Sequence, residues 1–179
     1  SAASDVYKRQ VVDYEGLDIA IAAMKEIPDA TLIIVGDGVA RPGLEDLADE
    51  LDLNDRVVFT GKQPATDIHL WYSALDVFVV PRRDVEVCRK VTPLKPLQAM
   101  ACGVPVIGTD LPALKEITGG LMVEVEPDNP SALAKSVDLV RQVELIVNPR
   151  ELEEWAKKRS WERNAHILEG LYLELLRGR

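Results

Sequence analysis

The stretch Val91–Ile107, which reads VTPLKPLQAMACGVPVI, decides the fold. Thr is a good helix N-cap and Pro is favoured at the first helical position, so Thr92-Pro93 predicts a helix start. Gly103 ends that helix, and the apolar run after it predicts a buried strand. A helix that begins beside strand ends offers backbone N–H groups to an anion, and Gln98 follows about one and a half turns later. This stretch is therefore the first candidate binding site.

Short apolar runs alternate with segments of helical period on both sides of this stretch. The runs are apolar on both faces and helices separate them, which predicts a parallel sheet covered on both sides. Five such units favour an α/β fold with an open, doubly wound, Rossmann-like sheet, because a closed barrel needs more units than the length allows. The predicted strands are 31–36, 56–61, 76–80, 104–108 and 121–125.

Beyond Pro127 the pattern is helical. Asn129-Pro130 and Asn148-Pro149 each resemble an N-cap followed by proline, and Ser160 can cap a last helix. One face of that last helix is apolar and must be buried against something. The residues on or near this face are Trp161, Ala165, Leu168, Tyr172 and Leu175.

The domain boundaries follow from these patterns. The first ten residues, SAASDVYKRQ, are polar and show no apolar period, so we expect a junction segment that does not belong to the fold. We expect 11–147 to form the Rossmann-like domain and 148–179 to form carboxyl-terminal helices.

Composition excludes several classes of protein. A chain of 179 residues with 47% apolar residues suits one domain, and a net charge of −9 argues against a nucleic-acid-binding surface. No apolar run approaches the ~20 residues of a membrane span, and no signal-peptide pattern is present. The two cysteines favour a reducing cytosol, and the two histidines give little support to a metal site or a catalytic triad.

The predicted strand ends carry the residues that can bind a ligand. In open parallel sheets, ligands bind beyond the carboxyl ends of the strands. A single glycine there is usually only a turn, but four polar or glycine-containing ends on one rim are better evidence. Asp37 is a candidate base or ribose ligand, although a turn cap is favoured. The four ends are Gly36–Gly38, Gly61–Gln63, Pro81–Asp84 and Gly108–Asp110.

The segment between the third strand and the quoted stretch is basic, although the chain is acidic. Five basic residues and two acidic residues lie between Arg82 and Lys95. They form either a solvated loop with surface salt bridges or a phosphate site, and we favour the phosphate site because the loop leads into the predicted helix. Cys88 lies in this loop, where basic neighbours can lower its thiol pKa, but a bystander role is favoured.

Six segments, taken in order, carry a resemblance to a known family. They read GLDIAIAAM, LIIVGDG, RVVFTG, LDVFVVP, LQAMACGVPVIGTDLPALKEI and GGLMVEVEPDNPSALA. From Val11 to Val140 the chain resembles the carboxyl-terminal half of family 4-type glycosyltransferases with the GT-B fold. Singly these motifs are loose, but together and in this order they are specific.

The resemblance implies an enzyme of two Rossmann-like domains that face a cleft. The carboxyl-terminal domain of such enzymes binds a nucleoside diphosphate sugar, and the amino-terminal domain binds the acceptor, typically a glycan or a lipid. Transfer retains anomeric configuration and uses neither metal nor another cofactor. The implied location is cytoplasmic, and the full-length enzyme can associate peripherally with the inner face of the membrane. The resemblance further implies that the carboxyl-terminal helices, 148–179, pack back toward the amino-terminal domain. The final helix crosses to that domain, which would cover its apolar face.

The resemblance also assigns residues to the donor site. Three groups are implied: residues that line the cleft, residues near the nucleobase, and backbone near the donor phosphates or sugar. Lys95, or a neighbouring arginine, would neutralise the diphosphate. The three groups are Gly36, Asp37 and Gly38; then Gly61, Lys62 and Gln63; then Val91, Thr92, Pro93 and Leu94.

Two positions depart from the family pattern. The family usually carries two glutamates eight residues apart, the second of which binds ribose hydroxyls, and here those positions hold Lys90 and Gln98. An amide offers one acceptor oxygen where a carboxylate offers two with charge assistance. A degenerate, non-catalytic binding module therefore stays open as an alternative.

The sequence argues against another alternative, a Rossmann-like dehydrogenase. No predicted strand is followed by the G-x-G-x-x-G turn that binds a dinucleotide.

Overall fold

The computed structural model of the protein describes residues 11–142 and 148–177. The predicted junction segment, 1–10, lies outside these residues, and so does 143–147 at the predicted domain boundary. Five strands form the centre of the fold: β1 (Leu32–Val35), β2 (Val57–Gly61), β3 (Phe78–Val80), β4 (Val106–Thr109) and β5 (Val123–Val125).

Every strand pair is parallel and is joined by a helical crossover. β1 pairs with β2, and β4 lies between β3 and β5. The predicted α/β fold with a doubly wound parallel sheet is therefore confirmed. The helices are α1 (Leu17–Ala23), α2 (Arg41–Glu50), α3 (Ile68–Ser73), α4 (Glu86–Lys90), α5 (Lys95–Ala101), α6 (Pro112–Thr118), α7 (Pro130–Gln142), α8 (Pro149–Lys157) and α9 (Trp161–Arg177).

The five strands divide into two hydrogen-bonded sheets. Within the described residues, β1 and β3 each pair along one edge only. A cavity of about 190 Å³ separates them, with walls formed mainly by Leu32–Val35, Val77–Pro81 and the side of α1. The two sheets are linked through helices: α1 packs with α7 on one core cluster and with α2 on another.

The stretch that decides the fold differs from its prediction in where its helix begins. The first helical bond runs from the Gln98 amide to the Leu94 carbonyl, at 3.1 Å, so α5 begins at Lys95 and not at Thr92-Pro93. A start at Pro93 would place Pro96 at the fourth helical position, where its missing N–H is needed. A start at Lys95 places Pro96 in the first turn, where no N–H is needed.

Side-chain caps set the starts of the last three helices, as predicted. The Oδ1 atom of Asn129 accepts from the Ala132 amide at 2.9 Å, and that of Asn148 accepts from the Arg150 amide at 3.0 Å. The hydroxyl of Ser160 accepts from the Arg163 amide at 3.2 Å. Each cap satisfies a backbone donor that has no partner within its own helix.

Replacing Asn148 by Ala should lower the free energy of unfolding by about 1 kcal/mol, because the Arg150 amide loses its cap. Urea denaturation followed by circular dichroism measures this change. Asn148→Asp is the matched control, since aspartate caps equally well and should leave the free energy of unfolding within about 0.3 kcal/mol of the parent value. Equal losses in both variants would show that the cap is not the cause.

The two carboxyl-terminal helices differ in their burial. Leu152 of α8 is fully buried in the core cluster that also holds Met100 and Leu114, so α8 packs on this domain. α9 is exposed along its whole length, including Trp161 and Tyr172 of the predicted apolar face. Packing of this face on another domain stays a prediction. Among helices of the described ranges, none is both long and apolar enough to cross a membrane.

Candidate functional site

The turns after β1 and β2 lie side by side at the carboxyl edge of their sheet. We name Gly36–Gly38 together with Gly61–Gln63 the turn cluster. The Gly36 amide donates to the Gly61 carbonyl at 3.0 Å, and both glycines have positive φ values, 134° and 67°. Asp37 caps this turn, because its Oδ1 accepts from the Gly38 amide at 2.9 Å. The cap favoured from the sequence is therefore present.

Two further side chains of the turn cluster differ in their freedom to meet a ligand. The Gln63 amide donates to the Thr60 carbonyl at 2.9 Å, so Gln63 is held against its own turn. Lys62 is exposed. Val11 borders the cluster on the other side: its amide donates to the Asp37 carbonyl at 3.1 Å.

The segment from Arg82 to Lys95, which the sequence predicted as a loop, is partly helical, because it contains α4. Burial of Cys88 and the pairing of Lys90 with Glu86, at 2.5 Å, support this short helix. Burial also raises the pKa of the Cys88 thiol, the opposite of what a basic loop would do, and this agrees with the bystander role. We name Lys90–Lys95 together with Gln98 the loop cluster.

A buried arginine holds the loop cluster in place. Arg82 is only 4% exposed, and its Nη1 donates to the Val91 carbonyl at 3.0 Å. Its Nη2 lies 3.2 Å from Oε1 of Glu15, and its guanidinium lies over the Tyr14 ring at 5.7 Å. The Arg82 Nε atom is buried and has no hydrogen-bond partner among the described residues.

Lys95 meets the same carboxylate from the other side. Its Nζ lies 2.9 Å from Oε2 of Glu15, so Glu15 bridges Lys95 and Arg82. The Lys95 side chain is 33% exposed, whereas that of Glu15 is 13% exposed. Of the three charged groups, Lys95 is therefore the one that a bound anion can best reach.

The remaining basic residues of the segment also have carboxylate partners. Arg83 lies 2.5 Å from Asp18 and 2.6 Å from Asp128, two residues that are distant in sequence. Arg89 pairs with Asp84, and this hydrogen bond lowers the pKa of the Asp84 carboxyl. Because every basic residue from Arg82 to Lys95 pairs with a carboxylate, the segment presents much less free positive charge than its sequence indicates.

Gln98 lies on the exposed side of α5. Its Oε1 accepts from the hydroxyl of Tyr72 at 3.2 Å, and Tyr72 itself is buried. The amide is therefore oriented by the core beneath it.

The predicted site residues come together as two clusters that one segment links. Val11–Gly16 contacts the turn cluster through Val11, and it contacts the loop cluster through Glu15. Sequence reasoning missed Glu15 and the buried role of Arg82, because their contact joins positions 67 residues apart.

The cavity between the two sheets is largely separate from these clusters. Of the turn cluster and the loop cluster, all of whose residues the structure describes, Lys95 alone lines it. Pro81 and the linking residues Val11 and Glu15 line it as well. In residues 11–142 and 148–177, no group of three or more His, Cys, Asp or Glu residues is placed to hold a metal ion.

Comparisons with known proteins agree on one family. The family model described as "Glycosyl transferases group 1" matches residues 7–143, which confirms the resemblance inferred from the motifs. The lipopolysaccharide core biosynthesis mannosyltransferase LpsB of Rhizobium meliloti is 37% identical over 110 residues, which cover 58% of this chain and 29% of that protein.

Solved structures agree with the fold. Sucrose-phosphate synthase from Thermosynechococcus elongatus superposes with a TM-score of 0.80 at 28% identity, over 93% of this chain and 43% of that one. Anabaena HepE, solved in complex with UDP-glucose, superposes with a TM-score of 0.77 at 22% identity, over 91% of this chain and 46% of that one. The chain spans less than half the length of the curated relatives it matches.

Proposed function

The chain belongs to the group 1 glycosyl transferases, and from this premise we propose that it is the donor-binding half of a retaining, metal-independent glycosyltransferase. The donor is a nucleoside diphosphate sugar. The observation that carries the proposal is the position of Lys95, a partly exposed ammonium at the start of α5, directly after Val91–Leu94. It is held by the Glu15 carboxylate, which also meets the buried Arg82.

Transfer of the sugar is favoured by a cation beside the donor diphosphate. When the bond between the sugar and the diphosphate breaks, negative charge develops on the leaving diphosphate. A fixed ammonium stabilises that charge more in the transition state than in the bound donor, and this lowers the barrier. Arg82 is buried, and Arg83, Arg89 and Lys90 each pair with carboxylates of their own. Lys95 supplies this charge in the proposal, because it is partly exposed and shares its one carboxylate, that of Glu15, with Arg82.

The turn cluster is proposed to meet the nucleoside. Gly36 and Gly61 have no Cβ, so a ligand can approach their backbone closely. Lys62, next to Gly61 in sequence, is exposed to solvent. The acceptor is a glycan or a glycolipid in this proposal, supported by the lipopolysaccharide relative, and it binds on the other half of the enzyme. The expected location is the cytoplasm, with peripheral association of the full-length enzyme at the inner face of the membrane.

This half alone should not transfer sugar. Transfer requires the acceptor-binding half and closure of the cleft, which position both substrates and exclude water. The chain is therefore expected to bind a donor without turning it over.

Calorimetric titration tests the proposal. UDP, GDP, ADP, CDP and dTDP are titrated separately into the chain, together with UDP-glucose and GDP-mannose. We expect at least one of them to bind with one-to-one stoichiometry, and we expect its affinity to fall as salt is raised, because the phosphates meet a charged group. Absence of binding by every nucleotide would refute the proposal.

A second function, a degenerate binding or scaffold module, is favoured by Gln98 and Lys90. Gln98→Glu separates the two. The carboxylate can still accept from Tyr72, and its second oxygen gains a charge-assisted bond to a ribose hydroxyl. We expect donor binding to tighten by about fivefold to tenfold, measured by the same calorimetry.

Gln63→Glu is the control for charge, because it places a carboxylate in the turn cluster without the ribose contact. It also removes the amide bond to the Thr60 carbonyl, so its fold is checked by circular dichroism. If both variants change affinity equally, the effect is one of general charge. A gain far above tenfold for Gln98→Glu indicates a compromised site and supports the degenerate module. If Gln98→Glu leaves affinity unchanged, other groups hold the ribose, the donor site is intact, and the expected tightening is wrong.

A further inference from the structure

Glu15 lies between two cations at the proposed donor site. Its Oε1 lies 3.2 Å from Nη2 of Arg82, and its Oε2 lies 2.9 Å from Nζ of Lys95. We propose that Glu15 is a positioning residue for the donor diphosphate: it holds the Lys95 ammonium in the one place from which it meets the phosphates. This inference rests on the proposed function of the site.

Glu15 can do this because it is itself fixed. Arg82 is buried and binds the Val91 carbonyl, so the group that holds Oε1 cannot move without the loop cluster. The backbone after Glu15 is fixed as well. A Cβ on Gly16 would lie 1.9 Å from the Pro81 carbonyl oxygen, which shows how closely this segment packs on the end of β3.

Lys95 needs such a partner. A lysine side chain has four rotatable bonds and, when part of it is exposed, it samples many positions. The Glu15 carboxylate restricts the Lys95 ammonium to positions in contact with it; the distance between Nζ and Oε2 is 2.9 Å. An ammonium has three donors, and Glu15 accepts one of them, so donors remain that a phosphate can accept.

The charges of this group also suit an anionic ligand. Two cations share one carboxylate, so one unit of positive charge is not balanced within the group. The other three cations of the segment, Arg83, Arg89 and Lys90, meet four carboxylates, because Arg83 pairs with two. These pairs lie nearer to solvent, where salt and water screen them.

If Glu15 positions Lys95, removing the Glu15 charge changes the affinity for a diphosphate in one direction, and if Glu15 only repels the diphosphate, the affinity changes in the opposite direction. A carboxylate near a diphosphate repels it, so electrostatics alone predicts tighter binding when the Glu15 charge is removed. If Glu15 positions Lys95, removal of that charge weakens binding, because Lys95 leaves the phosphate site. The sign of the change therefore distinguishes the two roles.

Glu15→Gln is the suitable variant. The amide oxygen can still accept from Arg82, which leaves the amide N–H₂ group facing Lys95 as a donor that the ammonium cannot use. The pairing with Lys95 is lost, while the hydrogen bond to Arg82 is kept. Glu153→Gln is the matched control, since Glu153 forms an exposed pair with Lys157 on α8.

The experiment is calorimetry on the whole chain with the nucleoside diphosphate that it binds best, alongside the corresponding nucleoside. We expect Glu15→Gln to weaken diphosphate binding by about tenfold or more and to leave nucleoside binding unchanged, because the lost contact is charge-assisted. Lys95→Met should weaken binding at least as much. Glu15→Gln added to Lys95→Met should weaken binding no further, because no ammonium remains for Glu15 to position.

The outcomes separate this inference from the proposed function. If the parent chain binds no nucleotide, the proposed function and the role of Glu15 are both refuted. If the parent binds but Glu15→Gln binds equally or more tightly, or weakens the nucleoside as well, only the role of Glu15 is refuted. Should Glu15→Gln fail to fold by circular dichroism, Glu15→Asp takes its place. The shorter carboxylate cannot reach both cations, so weaker diphosphate binding supports the inference and unchanged binding overturns it.

Discussion

Gly16→Ala should lower the free energy of unfolding by about 4 kcal/mol. Gly16 has a φ of 69°, a left-handed conformation that costs a residue with a Cβ about 1–2 kcal/mol. The new Cβ would also lie 1.9 Å from the Pro81 carbonyl oxygen. Backbone atoms cannot move aside as a flexible side chain does, and such overpacking costs a further 1–3 kcal/mol, roughly.

Urea denaturation measures this loss, and α2 offers a matched control. A Cβ on Gly43 would meet nothing within 4 Å, and Gly43 lies inside a helix. Gly43→Ala should therefore raise the free energy of unfolding by about 0.5–1 kcal/mol. If Gly16→Ala costs less than about 1 kcal/mol, Gly16 does not pack on the end of β3 as the structure has it, given the cost of the positive φ alone.

Arg82→Met should lower the free energy of unfolding by about 3 kcal/mol. Methionine keeps much of the side-chain volume but leaves the Glu15 carboxylate, only 13% exposed, without its buried partner. Removing one member of a buried ion pair typically costs 3–5 kcal/mol, and we place the value at the low end, about 3 kcal/mol, because Lys95 still faces Glu15. The Val91 carbonyl also loses a donor.

Arg83→Met is the control for Arg82→Met. Arg83 is adjacent in sequence and pairs with Asp18 and Asp128, but all three side chains are at least one-third exposed. Exposed pairs contribute little, so the loss should stay below about 1 kcal/mol. Thermal and urea denaturation of both variants measure the difference. Equal losses would contradict the buried role assigned to Arg82.

The sequence predicted the strands and the caps well because their signals are local. The apolar runs that became β1 to β5 are continuous, and Asn129 and Asn148 carry both a cap side chain and a following proline. The start of α5 was misplaced because two prolines, Pro93 and Pro96, offered competing starts. Only the position of the missing N–H groups decides between them.

The candidate site was less predictable, because its charges are balanced by distant residues. The sequence shows two acids within the basic segment, but Glu15, Asp18 and Asp128 also pair with it, from 45 to 80 positions away. No periodicity or spacing reports such contacts. For the same reason, the gap between β1 and β3 could not be foreseen from strand patterns that fit one continuous sheet.

Amide chemical-shift changes in the ¹⁵N-labelled chain, measured on titration with the nucleoside diphosphate that it binds best, locate the bound donor. We predict that the largest changes fall on the loop cluster, near Val91, Leu94 and Lys95, and on the turn cluster near Gly61. These changes should saturate together with one affinity, as the proposed donor site requires. Changes confined to the cavity walls of β1 and β3, or no changes at saturating nucleotide, would contradict it.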